Sequence, residues 1–160
     1  MEQKTNLSLL HCVFFIYHTF AYGSARNLVD SEKKMIANFM FRWVGRDKQK
    51  MNQIINETLF WSQQNIKTID DQIGTMISMV EFLKEQKDFN IMRREYFLMD
   101  IRNIARADNQ FLEEQKKWHD MIAKSLELEI RISPETHQDI EGSLNKVKRK
   151  KIGFRRSKSE

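Results

Sequence analysis

The stretch Ile104-Ala105-Arg106-Ala107-Asp108-Asn109-Gln110-Phe111-Leu112-Glu113-Glu114 decides the fold. Ahead of it, Phe97, Ile101, Ile104 and Ala105 recur at the three- and four-residue spacing of one helix face; beyond it, Gln115, Trp118, Ile122 and Leu126 do the same. Between the two patterns, Asp108-Asn109 is turn chemistry, because both short side chains bond to nearby backbone. The segment is two amphipathic helices joined by a short turn, with carboxylates on either side. A weaker copy lies near the N-terminus. An offset of 84 pairs Asn6 with Asn90, Val13 with Phe97, Tyr17 with Ile101 and Ala21 with Ala105; past the turn an offset of 82 pairs Val29 with Phe111, Glu32 with Glu114, Lys34 with Lys116 and Ile36 with Trp118. Two hairpins of common design are expected to clasp each other.

Outward from the hairpins, the chain continues in helices. One Pro, five Gly and nine Met among 160 residues leave few breakers and few of the turns that a sandwich or barrel needs. A chain of this length builds one core of ordinary size. The second helix is expected from about Ser31 to Val44, capped by Asp30 or Ser31 and stopped by Gly45, with Ile36, Phe39, Met40 and Trp43 inward. The third runs from about Asp47 to Trp61-Ser62, with Met51, Ile54, Ile55, Thr58 and Leu59 on its apolar side. The fourth spans about Ile66 to Lys87 on the stripe Ile66, Ile69, Ile73, Met76, Ile77, Val80 and Leu83, and is expected to be the central packing element. Asn90 caps the fifth, and the sixth reaches about Leu126. Ser133-Pro134-Glu135 reads as a cap with Pro at the first helical position and opens a seventh, ending near Leu144. The expected architecture is all-α: one bundle of about seven helices over residues 1–145, built from two related hairpins and followed by a flexible tail, 146–160.

Residues 7–22 are the most apolar run. As a membrane span they fall short of the roughly 20 residues a bilayer requires, and His11 and His18 interrupt them. A secretory signal is a second reading, with Lys4 ahead of the run and Ala21-Tyr22-Gly23-Ser24-Ala25 as small residues for cleavage, although Glu2 cancels Lys4. The favoured reading is a core helix capped by Asn6, with Leu10, Val13, Phe14, Tyr17 and Ala21 on one face. Export therefore remains the alternative to a cytoplasmic, membrane-associated protein.

The net charge of +5 is unevenly placed. Lys146, Lys148, Arg149, Lys150, Lys151, Arg155, Arg156 and Lys158 against Glu160 make the tail about +7 and leave the body about −2. Such a tail cannot bury enough apolar area to offset its ordering entropy. Lys148, Arg149, Lys150, Lys151, Arg155 and Arg156 are candidate contacts for an anionic partner, with Phe154 as a shallow membrane anchor. A membrane surface or acidic partner is favoured over nucleic acid, since no basic stripe on the body continues such a track.

Ala105-Arg106-Ala107-Asp108-Asn109-Gln110-Phe111-Leu112-Glu113-Glu114, followed by Ile122-Ala123-Lys124-Ser125-Leu126-Glu127-Leu128, resembles the signature of tellurite-resistance TerB-like domains, which also form the N-terminal domain of DjlA-type co-chaperones. The resemblance covers roughly residues 6–144 and implies a seven-helix bundle of two related halves. It further implies a stress-response module that contacts a partner protein or membrane surface and holds a divalent cation, Ca²⁺ or Mg²⁺, on acidic turn residues. Here those are Asp108 and Glu114 with Glu113 adjacent, and Asp30 and Glu32 in the first half. Asn109 replaces the usual Gly, and the first half has no Asp at the turn position. Read without the family, Glu113 and Glu114 are first-turn carboxylates facing a helix dipole, and Asp108 is a turn residue.

Nothing in the sequence points to catalysis. His11, His18, His119 and His137 are scattered; His119-Asp120 could mimic a base and its orienter, yet no nucleophile can be assigned beside it, and a solvated helical His is the simpler reading. Cys12, the one cysteine, sits on an apolar helix and reads as a buried inert thiol, and no thiolate cluster or internal disulfide can form. No Gly-rich phosphate loop or His-Glu-x-x-His motif occurs, and no small-molecule substrate is indicated. The expectation is a noncatalytic interaction module; alternatives are an exported helical protein and a basic-tailed nucleic-acid binder.

Overall fold

The order of helices follows the caps written into the sequence. A computed structural model of the chain describes residues 7–25, 30–107, 113–130, 132 and 153–154. Six helices are found among them: α1 (Leu9–Ala25), α2 (Asp30–Trp43), α3 (Lys48–Asn65), α4 (Ile69–Glu85), α5 (Ile91–Arg106) and α6 (Glu113–Ser125). Gly45 ends α2 in the left-handed conformation (φ 69°), which lets the Arg46 amide donate back to the Phe41 carbonyl at 2.8 Å. Asp47 then caps α3 through the Lys50 amide, and Asn90 caps α5 through the Arg93 amide. The expected seventh helix lies outside the described residues, as does most of the tail.

Some boundaries differ from expectation: α1 begins at Leu9, not directly after Asn6, and α3 runs to Asn65, past the expected end at Trp61-Ser62. Ile66 and Ile69 fit the stripe of the fourth helix, yet Ile66 closes α3 and Ile69 is exposed. The cause is local: Thr68 and Asp71 form a reciprocal capping box that starts α4 after Ile66, which leaves Ile66 packed against the core from the end of α3 and turns Ile69 outward.

The centre of the molecule is α1, not α4. It packs against each of the other five helices, and its residues Cys12–Tyr17, Phe20 and Ala21 are buried on all sides. A helix apolar all round belongs in the interior, which accounts for the hydropathy of the run without a membrane. No helix among the described residues is long and apolar enough to cross one. Around α1 the hairpin α1–α2 meets the hairpin α5–α6 through α1·α5, α2·α5 and α1·α6 contacts, the clasp expected from the repeat. The Gln115 amide donates to the Phe20 carbonyl at 2.7 Å, and Trp118 meets Phe20 edge to face.

Two further ties hold the ends. Arg94 on α5 donates to the Lys84, Phe89 and Leu126 carbonyls at 2.9, 2.9 and 3.0 Å, a cation serving the C-terminal ends of α4 and α6. From the tail, Phe154 stacks on Phe82 of α4 at 4.3 Å, while the Leu7 amide donates to the Gly153 carbonyl. The ring expected to anchor in a membrane is therefore half-buried against the bundle.

Candidate functional site

The acidic residues drawn from the family resemblance do not converge among the described positions. Asp30 and Glu32 lie in the first turn of α2, Glu113 and Glu114 in that of α6. Asp30, Glu113 and Glu114 are exposed, and Glu113 accepts from Lys116 at 3.0 Å; Glu32 is buried. The two first turns belong to helices with partly different neighbours, because α2 packs on α1, α3 and α5 whereas α6 packs on α1, α4 and α5. No group of three His, Cys, Asp or Glu among the described residues is placed to hold a metal. Asp108 lies outside those residues, as do Lys148, Arg149, Lys150, Lys151, Arg155 and Arg156.

The histidines carry structure. Contrary to the expected solvated His, His119 is fully buried, and so is Asp120. Arg102 can only donate, so its contact at 3.1 Å makes His119 Nε2 the acceptor and leaves the proton on Nδ1, which donates to Asp120 Oδ1 at 2.8 Å. The same oxygen receives the Ile132 amide at 2.8 Å, so the pair ties the chain after α6 back onto it. On α1, the Ser8 amide and hydroxyl meet His11 Nδ1, and Nε2 donates to Glu57 at 2.9 Å. Adjacent sequence shows Asp120 beside His119, but not the burial of the pair, because Arg102 and the Ile132 amide that complete it come from outside α6. Burial pushes the Cys12 thiol up, as expected for an inert side chain, and holds His18 below its ordinary value of 6.5.

A different site emerges where the end of α2 meets the start of α5. Arg42, Trp43, Met92, Arg93 and Tyr96 line a cleft of about 400 Å³. Two of its side chains are fixed from beneath by a buried pair. The Tyr17 hydroxyl donates to Asp100 Oδ2 at 2.6 Å and accepts from Trp43 Nε1 at 2.9 Å, and Arg42 Nη2 donates to the same Asp100 oxygen at 2.7 Å. Burial, then the Asp100 carboxylate, raises the Tyr17 phenol well above its ordinary 10.0, so it stays a donor. Arg93 lies over the Trp43 ring at 5.9 Å, and Arg42 over Phe39 at 5.3 Å.

Beside the cleft, the outer side of α5 exposes large apolar side chains, with Arg93 and Glu95 among them. Ile91 (65 %), Met92 (61 %), Tyr96 (49 %) and Met99 (39 %) are exposed, while Phe97, Leu98, Ile101 and Ile104 are buried. Met92, Tyr96 and Met99, spaced by four and three, fall on one face. Sequence reading missed Arg42, Met92, Arg93, Tyr96 and Asp100. The available signal was that second stripe, which the first core does not require. Comparison with family models, curated proteins and solved structures finds nothing that matches the chain.

Proposed function

We propose that the chain is a noncatalytic interaction module of the TerB-like kind, whose task is to hold a partner protein. What supports this reading is the outer face of α5: Met92, Tyr96 and Met99 expose apolar surface in a row, next to aromatic and guanidinium groups that the fold already holds in place. The buried His119-Asp120 pair and the pair of buried His11 with half-exposed Glu57 serve the packing of elements. A photoreactive residue at Met99, introduced into the chain in its native host, tests it. A discrete adduct from Met99, absent when the same group replaces exposed Lys50 on α3, is the expected result. Equal labelling from both positions, or none from Met99, refutes the reading.

The resemblance adds a divalent cation at Asp108, Glu114, Glu113, Asp30 and Glu32, and the charge of the basic tail adds an anionic membrane surface. Melting in the presence of Ca²⁺ or Mg²⁺ examines the first, since an ion bound only by the folded chain raises Tm. A rise that disappears in Asp108→Asn/Glu114→Gln supports ligation, whereas no rise in the unaltered chain removes metal from the proposal.

A further inference from the structure

The cleft between α2 and α5 has a charge as well as a shape. Two guanidinium groups from different helices line it, and no carboxylate does among the described residues. Asp100 occupies one N–H group of Arg42 from below and is itself buried, so the cleft sees the guanidinium, which is 53 % exposed, and not its counter-ion. An arginine has five such donors. Arg93 rests on the Trp43 face and has no carboxylate partner among the described residues. The remainder of the lining is Trp43, Met92 and Tyr96, and Met99 extends the apolar row by one helical turn.

Building on the interaction-module reading, we infer that this cleft and the Met92–Tyr96–Met99 row receive an acidic amphipathic helical segment of a partner protein. Its apolar side chains lie on Trp43, Tyr96 and the two methionines, and its carboxylates face Arg42 and Arg93. Met92 to Met99 spans about 10 Å at 1.5 Å per residue, which suits about two turns of a partner helix. Thioether and aromatic surface of this kind adapts to aliphatic and aromatic anchors. Nucleic acid fits less well, because its phosphate track calls for a continuing line of Lys and Arg, and beyond Arg93, as far as Met99, the exposed residues are Glu95, Tyr96 and Met99. The carboxylates of the partner segment therefore lie at the Arg42 and Arg93 end of the row, away from Glu95. Because Tyr17 and Asp100 hold Trp43 and Arg42 before any partner arrives, docking does not have to order them.

The test is selection of a random peptide library on the full chain, followed by affinity measurement of the enriched peptides on Arg93→Glu and Tyr96→Ala, both checked for unchanged helicity. Expected are peptides with Asp or Glu flanking apolar residues at helical spacing, and at least about tenfold weaker binding to each variant. Replacing the peptide's Glu with Lys should restore affinity for Arg93→Glu. Peptides that bind both variants as well as the unaltered chain overturn this inference and leave the interaction-module reading in place. Failure of any peptide to enrich sinks both. Two other outcomes also overturn it: an oligonucleotide whose binding is lost in Arg93→Glu, or a concentration-dependent dimer abolished by Tyr96→Ala.

Discussion

Tyr17→Phe isolates the chemistry beneath the cleft, because it removes one hydroxyl and leaves the ring stacked on Phe97 at 5.5 Å. That hydroxyl donates to a buried carboxylate at 2.6 Å and accepts from Trp43 at 2.9 Å. A hydrogen bond to a charged group is worth about 1.5–3 kcal/mol, and Asp100 would keep only Arg42 of its two described donors. Trp43 is half-buried, so water replaces part of what its indole N–H loses. The sum is about 2–3 kcal/mol, or a Tm lowered by about 5–10 °C in a chain of this size. Urea unfolding should show it as a lower midpoint with unchanged slope. A double-mutant cycle with Asp100→Asn should give coupling of at least about 1 kcal/mol. The phenol's raised pKa adds a pH signature. Above pH 10 the unfolded phenol ionises first, so the unaltered chain loses stability there, and Tyr17→Phe lacks that component. A variant within about 0.5 kcal/mol of the unaltered chain, or additive effects in the cycle, refutes the reasoning.

Three further expectations follow from the geometry. His18 is held below 6.5 by burial, so the unfolded chain binds its proton first; stability contributed by neutral His18 is full above that value and falls as pH drops through it, and His18→Gln should flatten this part of the profile in urea titrations between pH 5 and 7. Removing residues 1–25 takes away the helix that touches all the others, so circular dichroism of the shortened chain should show no cooperative melt; a cooperative melt would count against α1 as the core. Phe154→Ala loses a half-buried ring stacked on Phe82 and should cost about 1–2 kcal/mol; no loss would mean that the contact does not form in solution.

The helices and their limits were largely legible because they rest on local physics. Asp47 and Asn90 cap, Gly45 takes the positive φ that its turn requires, and Phe97, Ile101 and Ile104 repeat at the spacing of one face. The contact between early and late hairpins, expected from the pairing of positions along the chain, is also present among the described residues. One misreading arose where a local pattern competed with another local device: the Thr68–Asp71 box overrode the stripe at Ile69.

What the sequence by itself determined is therefore the all-helical class, the caps and most inward faces, since each depends on neighbours within a few residues. Tertiary structure alone decided that α1 is central, that His119 and Asp120 are buried, and that Tyr17, Arg42, Trp43 and Asp100 form one network beneath a cleft. Those side chains come from three helices, with Tyr17 and Asp100 83 residues apart in sequence, and only packing brings them within hydrogen-bond distance.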